Sequence, residues 1–181
     1  VELLWKVSPN VEHGDPRLLA YKIDKLIIDR KIDQLGKPIP KVIRLGSLRE
    51  ICRELEVNEG KAVRDVKNAL HQNAGAYIKA KLTYKSVNGE HRYFERGFTR
   101  YSIVFTGETL EKGEKTDSVY VALHDPYWQV LNDAPHRPLD YDYFKSLKPS
   151  AQRWYEIASY KIYAAIEHAH DHAKLLYSEY C

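Results

Sequence analysis

Apolar residues recur at helical spacing after residue 15 and predict a first helix. Asp15 is the predicted N-cap, and Pro16 suits the first helical position, where its missing N–H costs nothing. Gly36 and the two prolines that follow it end the helix, because proline cannot continue one. A short apolar segment at 42–45 then predicts a small strand.

Two shorter helices follow, joined by a tight turn. Ser47 and Glu50 have the spacing of a capping box, in which each side chain satisfies a free amide of the other residue. A turn at 57–60 precedes the third helix, which Gly75 ends. The apolar stripe of the third helix is formed by Val63, Val66 and Leu70. A longer helix followed by two short ones is the order of a helix-turn-helix domain.

The apolar period changes from near 3.6 to 2 at residue 77, which predicts a strand over 77–85. Asn88-Gly89 is a strong hairpin turn signal, because both positions of that turn need positive φ. The return strand is expected over 92–105 with a break at Gly97, and a further strand over 118–123. Helices followed by a basic hairpin are typical of a winged helix.

The last third of the chain predicts a second part. Pro149 opens a long helix with an expected buried face of Ala151, Trp154, Tyr155, Ala158, Ile162, Ala165 and Ile166. A short strand from Lys174 to Tyr177 is expected after it. The predicted fold is α+β: a first winged-helix domain at 1–131, a linker at 132–145, and the start of a second, truncated winged helix at 146–181.

Positive charge is concentrated in one segment. The net charge is only +3, yet residues 61–100 carry nine Lys and Arg against three Asp and Glu. Such clustering is the electrostatic footprint expected of a nucleic-acid contact. The alternative is a solvated charged face without a partner.

The third helix is the expected site of base recognition. Opposite the apolar stripe, its polar face carries Lys61, Arg64, Asn68 and His71, with Gln72 beside them. Arginine matches guanine and asparagine matches adenine in the major groove, so Arg64 and Asn68 are the predicted base contacts. Lys61 and Lys67 are the predicted phosphate contacts. The alternative is an ordinary exposed helix face.

The hairpin continues the basic pattern. Its predicted contacts to the phosphate backbone or the minor groove are Lys79, Lys81, Lys85, Arg92 and Arg96, with Arg100 further along. Most of these are expected on the strand face opposite Ile78, or at the turn. The alternative is that they discourage edge-to-edge strand pairing.

His168, His170 and His172 could suggest a nuclease, in which two histidines on one strand face bind a metal ion and a tyrosine attacks DNA. These histidines instead end a helix-period pattern, where residues two apart diverge. We therefore predict no catalytic residue, no metal and no cofactor, and a protein that binds double-stranded DNA without being an enzyme.

Composition limits the remaining classes. No run approaches the roughly 18 apolar residues of a membrane-spanning helix. Cys52 and Cys181 are far apart and match no metal-binding spacing, so we expect free thiols in a reducing cytoplasm. The chain contains no methionine, so we expect it to be either processed or a piece of a longer protein, and we favour the second.

Several segments of the last 80 residues resemble bacterial and plasmid replication initiator proteins of the tandem winged-helix type. The segments are Val119-Tyr120-Val121-Ala122-Leu123 followed by 127–132, then Arg137-Pro138-Leu139-Asp140-Tyr141, and Leu147 followed by Ala151-Gln152-Arg153-Trp154-Tyr155. The resemblance implies binding to repeated origin sequences, dimerisation in some relatives, and recruitment of host replication proteins. A winged-helix transcription regulator is the alternative, and a nicking endonuclease of the His-x-His type is a third hypothesis.

Overall fold

The computed structural model describes residues 4–86, 88–109, 115–134 and 139–174, which form a mixed α and β structure. The elements in chain order are β1 (Leu4–Ser8), α1 (Leu18–Lys25), a π-helical segment (Leu26–Ile32), α2 (Asp33–Leu35), β2 (Val42–Ser47), α3 (Leu48–Glu54), α4 (Val63–Gly75), β3 (Tyr77–Lys85), β4 (His91–Thr99), β5 (Tyr101–Thr109), β6 (Lys115–Leu123), α5 (Asp125–Asp133), α6 (Tyr141–Ser146) and α7 (Pro149–Glu167). They fall into two compact units, 1–135 and 136–181. The mixed class is the one that the sequence predicts.

The first helix begins later than the sequence predicts. Arg17, not Asp15, is the residue before the first helical turn, and its backbone is extended. No side chain caps this end, so the prediction of Asp15 as N-cap is wrong. The helical stretch otherwise runs from Leu18 to Leu35, with Ile23, Leu26 and Ile27 fully buried.

The capping box at the start of α3 is confirmed. The Glu50 amide donates to Ser47 Oγ at 3.2 Å, and the Ser47 amide donates to Glu50 Oε2 at 2.5 Å. The bond from the Ser47 backbone lowers the pKa of Glu50. Gly46 has φ +106°, and a Cβ there would lie 2.6 Å from Glu50 Oε2, so glycine makes room for the box.

α3 and α4 pack together beside α1, as the predicted helix order requires. Ile51 and Cys52 of α3 are buried, and Cys52 is a free thiol, whereas Cys181 lies outside the described residues. Asn73, buried near the end of α4, donates from Nδ2 to the Ala20 carbonyl at 2.7 Å. This bond fixes α4 against α1 and satisfies a polar group in the core.

The six strands form two antiparallel sheets, in the orders β1-β3-β4 and β2-β6-β5. The predicted 92–105 strand is broken, but at Arg100 rather than at Gly97. Gly97 stays in the ladder opposite Lys79, and the Tyr77 ring lies across it where a Cβ would collide. Arg100 lies between β4 and β5, and its side chain is largely buried.

Arg100 enters a buried polar cluster that joins helices to strands. Its Nη1 lies 2.6 Å from Asp24 Oδ2 of α1, and the two side chains are 14% and 17% exposed. The Tyr101 hydroxyl donates to Asp24 Oδ1 at 3.3 Å. Burial, and then the Asp24 carboxylate, raises the pKa of Tyr101 and of Tyr127 from α5, so both remain neutral. A predicted hairpin cation is thus a core residue.

The second unit packs through a face of α7 that the sequence does not predict. Pro149 opens the helix as expected, but the buried residues are Gln152 and Glu156. Trp154, Ile162 and Ile166, expected inside, are 42%, 53% and 69% exposed. Gln152 Nε2 donates to the Phe144 carbonyl at 3.2 Å, so the buried face of α7 makes a polar contact with α6.

The predicted linker at 132–145 contains the end of α5 and most of α6. Lys174 lies outside any strand, and the rest of the expected strand lies beyond the described residues. None of the helices described here is long and apolar enough to cross a membrane.

Replacing Arg100 should destabilise the first unit strongly. Arg100→Met leaves the Asp24 carboxylate buried without its cation, which typically costs about 3–5 kcal/mol in the free energy of unfolding. Arg53→Met is the matched control, because the Arg53–Glu59 pair is exposed and such pairs contribute about 0–1 kcal/mol. Urea denaturation followed by circular dichroism measures both. Equal losses in the two variants would show that the buried pair contributes little.

Candidate nucleic-acid interface

The solvent face of α4 and the turn before it present the cations predicted for DNA. Lys61, Arg64, Lys67 and Asn68 are exposed, and His71 is half-buried at the edge of this face. Val66, Ala69 and Leu70 lie buried on the opposite side. The helical period therefore separates a packing side from a polar side as the sequence predicts.

Positive charge on this face is not neutralised by the residues that the structure describes. Within the described residues, Lys61, Arg64 and Lys67 form no ion pair, and Lys67 Nζ lies 4.9 Å from the centre of the Phe105 ring of β5. Asp65 lies in the first turn of α4, where the helix dipole stabilises a carboxylate. The unpaired cations leave a positive surface at the N-terminal half of α4.

A turn at 10–14, which sequence reasoning missed, contacts the same face of α4 from Asn68 onward. The His13 ring stacks on His71 with centroids 4.7 Å apart and planes 11° apart. His13 Nδ1 lies 3.0 Å from Asn68 Oδ1, and Gln72 Nε2 donates to the His13 carbonyl at 2.8 Å. Three side chains of α4 thus hold this turn, and two of them are predicted DNA contacts.

The turn at 10–14 is itself well built. Asn10 Oδ1 accepts from the amides of Glu12 and His13 at 2.8 and 2.9 Å, and Gly14 closes the turn with φ +72°. The Asn10 side chain lies so close to Gly75 that a Cβ there would be 2.0 Å from Asn10 Nδ2. Asn10 and Gly14 are turn-forming residues, but nothing local indicates that the turn docks on α4.

The hairpin cations are divided between two faces. Lys79 and Lys81 are exposed and alternate with buried Ile78 and Ala80. Arg92 and Arg96 pair with Tyr84 and Ala80, so they belong to the other face of the ladder. Arg96 therefore does not share the face opposite Ile78 that is expected for most of these cations, and Arg92 lies near the turn. Lys85 lies in β3 opposite His91, and its side chain is outside the described part of the structure.

The hairpin cations also differ in how far the protein neutralises them. Lys81 Nζ lies 2.9 Å from Glu95 Oε1, and Arg92 contacts both Glu90 and Asp133, at 3.5 and 2.5 Å. Among the described residues, Lys79 and Arg96 have no such partner. Lys79 and Arg96 are thus the hairpin cations that remain available to a polyanion.

The three histidines near residue 170 follow the end of α7. His168 caps the helix, and the His168 and His170 rings are 6.3 Å apart and tilted by 51°. They line an open groove of about 440 Å³ together with Lys161 and Lys174. Within the ranges that the structure describes, no three His, Cys, Asp or Glu side chains are grouped to hold a metal ion.

Neither a family model nor a curated protein matches the chain. The chain is similar to a crystal structure of domains 2 and 3 of RctB, solved as a selenomethionine derivative, with 10% sequence identity and a TM-score of 0.47. The similarity covers 97% of this chain and 74% of that chain. A score this low assigns neither family nor function.

The stacked histidines should make folding sensitive to acid. Burial, and then His13 and Lys67, lowers the pKa of His71. The unfolded histidine takes up a proton near about pH 6.5, and folded His71 does so only at lower pH. The stability that the neutral His71 ring contributes is therefore fully present above about pH 6.5 and is lost as the pH falls below that value.

His71→Phe keeps an aromatic ring but cannot be protonated. Its unfolding free energy should fall less than that of the wild type between about pH 7.5 and 5.5. Denaturant titrations at several pH values measure this, and His91→Phe, at an exposed strand position, is the control and should keep the wild-type slope. An unchanged slope in His71→Phe would contradict the expectation.

Proposed function

We propose that the first unit is a sequence-specific double-stranded DNA-binding domain of the winged-helix type, and that the chain belongs to a plasmid-type replication initiator. The observation that carries the proposal is the unpaired cationic face formed by Lys61, Arg64 and Lys67 around the first turn of α4. An exposed helix rich in unneutralised charge, packed on two other helices and followed directly by a hairpin, suits the major groove.

DNA would meet this surface from the N-terminal end of α4. In helix-turn-helix proteins the first residues of the recognition helix approach base edges. Here those residues are open, and the turn at 10–14 contacts the helix further along, at Asn68, His71 and Gln72. Arg64 is the proposed guanine contact, because its guanidinium donates two parallel bonds. Lys61 and Lys67 flank it and would contact phosphates.

One residue separates the end of α4 from the hairpin formed by β3 and β4, so the proposed wing lies next to the recognition helix in sequence. Lys79 or Arg96 would contact the DNA backbone there, depending on which face of the ladder turns toward it. Lys81 and Arg92 would contribute less, because nearby carboxylates already balance their charge.

The initiator assignment is supported by the Ala151-x-Arg153-x-Tyr155 element, which lies in the first turns of α7 directly after Pro149. The resemblance implies that such an element opens the second winged helix of an initiator. Dimerisation and recruitment of host replication proteins belong to the same proposal. A transcription regulator would use the same face of α4 but would bind a promoter instead of repeated origin sites.

Charge-removing variants test the DNA contacts. Arg64→Ala should cost about 1–3 kcal/mol on the selected site and less on random DNA, since it removes a base contact. Lys79→Ala should weaken binding to both and reduce the slope of log K against log salt by about 0.9. Lys81→Ala, two residues away and already paired with Glu95, is the matched control with a smaller effect.

Fluorescence anisotropy over a range of salt concentrations gives all these values. Affinity that does not change between low and physiological salt would remove the proposed function, because phosphate contacts must release counterions. Equal losses for Arg64→Ala on selected and random DNA would remove Arg64 from base recognition.

We propose further that the protein does not cut DNA. A nicking enzyme needs a bound divalent ion held by side chains in a fixed geometry. Supercoiled and single-stranded DNA, incubated with the protein and Mg²⁺ or Mn²⁺, should remain uncut and free of covalent adducts. Gel electrophoresis checks this. Cleavage that disappears in a His168→Ala/His170→Ala variant would establish the nuclease instead.

A further inference from the structure

The contact between His13 and Asn68 bears on which base Asn68 can recognise. Asparagine recognises adenine by turning its carbonyl oxygen and its amide nitrogen together toward the base edge, where adenine offers one donor and one acceptor. In this structure Asn68 Oδ1 faces the His13 ring, with Nδ1 at 3.0 Å. When Nδ1 carries the proton, His13 donates to that oxygen.

The position of His13 is fixed by contacts other than this bond. The ring stacks on His71, the backbone carbonyl accepts from Gln72, and the backbone amide donates to Asn10. Glu12 Oε2 lies 3.9 Å from His13 Nε2, and the Glu12 side chain is 85% exposed. His13 is therefore a fixed partner to which the Asn68 side chain must adapt.

The amide nitrogen of Asn68 has no hydrogen-bond partner within the described ranges, and the residue is exposed. Because Oδ1 is turned to the imidazole, the Nδ2 group with its two hydrogens is the part that remains for DNA. Guanine presents two acceptors, N7 and O6, in the major groove, whereas adenine presents an acceptor and a donor. Two donors match guanine.

We propose that His13 is a specificity-determining residue of the DNA-binding face: by holding Asn68 Oδ1 it makes Asn68 select guanine instead of the adenine that an unrestrained asparagine prefers. This inference rests on the proposed function, because it requires α4 to meet DNA bases. It changes the expectation for Asn68 that follows from its residue type alone.

Selection from a random duplex library tests the inference with the 181-residue chain. Asn68→Ala identifies the base position that depends on Asn68. The wild type should prefer guanine there, and His13→Phe should shift the guanine-to-adenine ratio toward adenine by about tenfold. His13→Phe keeps a ring on His71 and the carbonyl for Gln72, so the turn stays docked. Val11→Ala, in the same turn and fully exposed, is the matched control and should keep guanine.

A second variant separates recognition from packing. Asn68→Asp can still accept from His13 but has no N–H donors, so it should lose the guanine preference without gaining one for adenine. A purely structural Asn68 would keep the wild-type preference in this variant, which would overturn the inference.

The remaining outcomes are also decisive. A wild-type preference for adenine, an unchanged preference in His13→Phe, or no base position that depends on Asn68 would each overturn the role of His13 while leaving DNA binding intact. Failure of every variant and of the wild type to enrich any sequence would instead overturn the proposed function, and this inference with it.

Discussion

The ion pair between Arg100 and Asp24 is the constraint on which the first unit depends. The pair connects α1 to the junction between β4 and β5. The hydroxyl groups of Tyr101 and Tyr127 belong to the same cluster. A buried cation needs its partner, so neither side chain can leave without a large loss of stability. α1 in turn holds α4 through the bond from Asn73 to the Ala20 carbonyl. The placement of the proposed recognition helix therefore depends on α1, which carries both Asp24 and Ala20.

Local signals predict local structure well in this chain. Three signals act within a few residues of the structure that they predict. The capping box of Ser47 and Glu50 precedes α3, the turn at Asn88 and Gly89 connects β3 to β4, and Pro149 begins α7. Arg100 and Gln152 show where such reasoning ends. An arginine on a basic strand is expected to contact phosphate, and a glutamine on a helix is expected to be exposed to solvent. Their burial is shown only by their partners: Asp24, 76 residues from Arg100, and Phe144, 8 residues from Gln152.

In the candidate site, too, the sequence predicts the local features and not the contacts between distant residues. The exposed face of Lys61, Arg64 and Lys67 follows from helical periodicity, because the apolar stripe fixes which side packs. His13 does not follow from it, since the contact to Asn68 spans 55 residues and the turn carries no apolar pattern. The hairpin register is another non-local property: a strand pattern gives two faces but does not give the pairing that puts Arg96 opposite Ala80. What the sequence could not supply in each case was a distance between residues remote along the chain.

The close approach between Gly46 and the Glu50 carboxylate also constrains how this protein can change over evolutionary time. A side chain at position 46 would need both an uncommon backbone conformation and the space that Glu50 occupies. Substitution at either position thus removes the advantage of keeping the other, and the two should covary among relatives. A chain that retains Gly46, Ser47 and Glu50 together would preserve the entry into α3 even where little else of the sequence can be aligned.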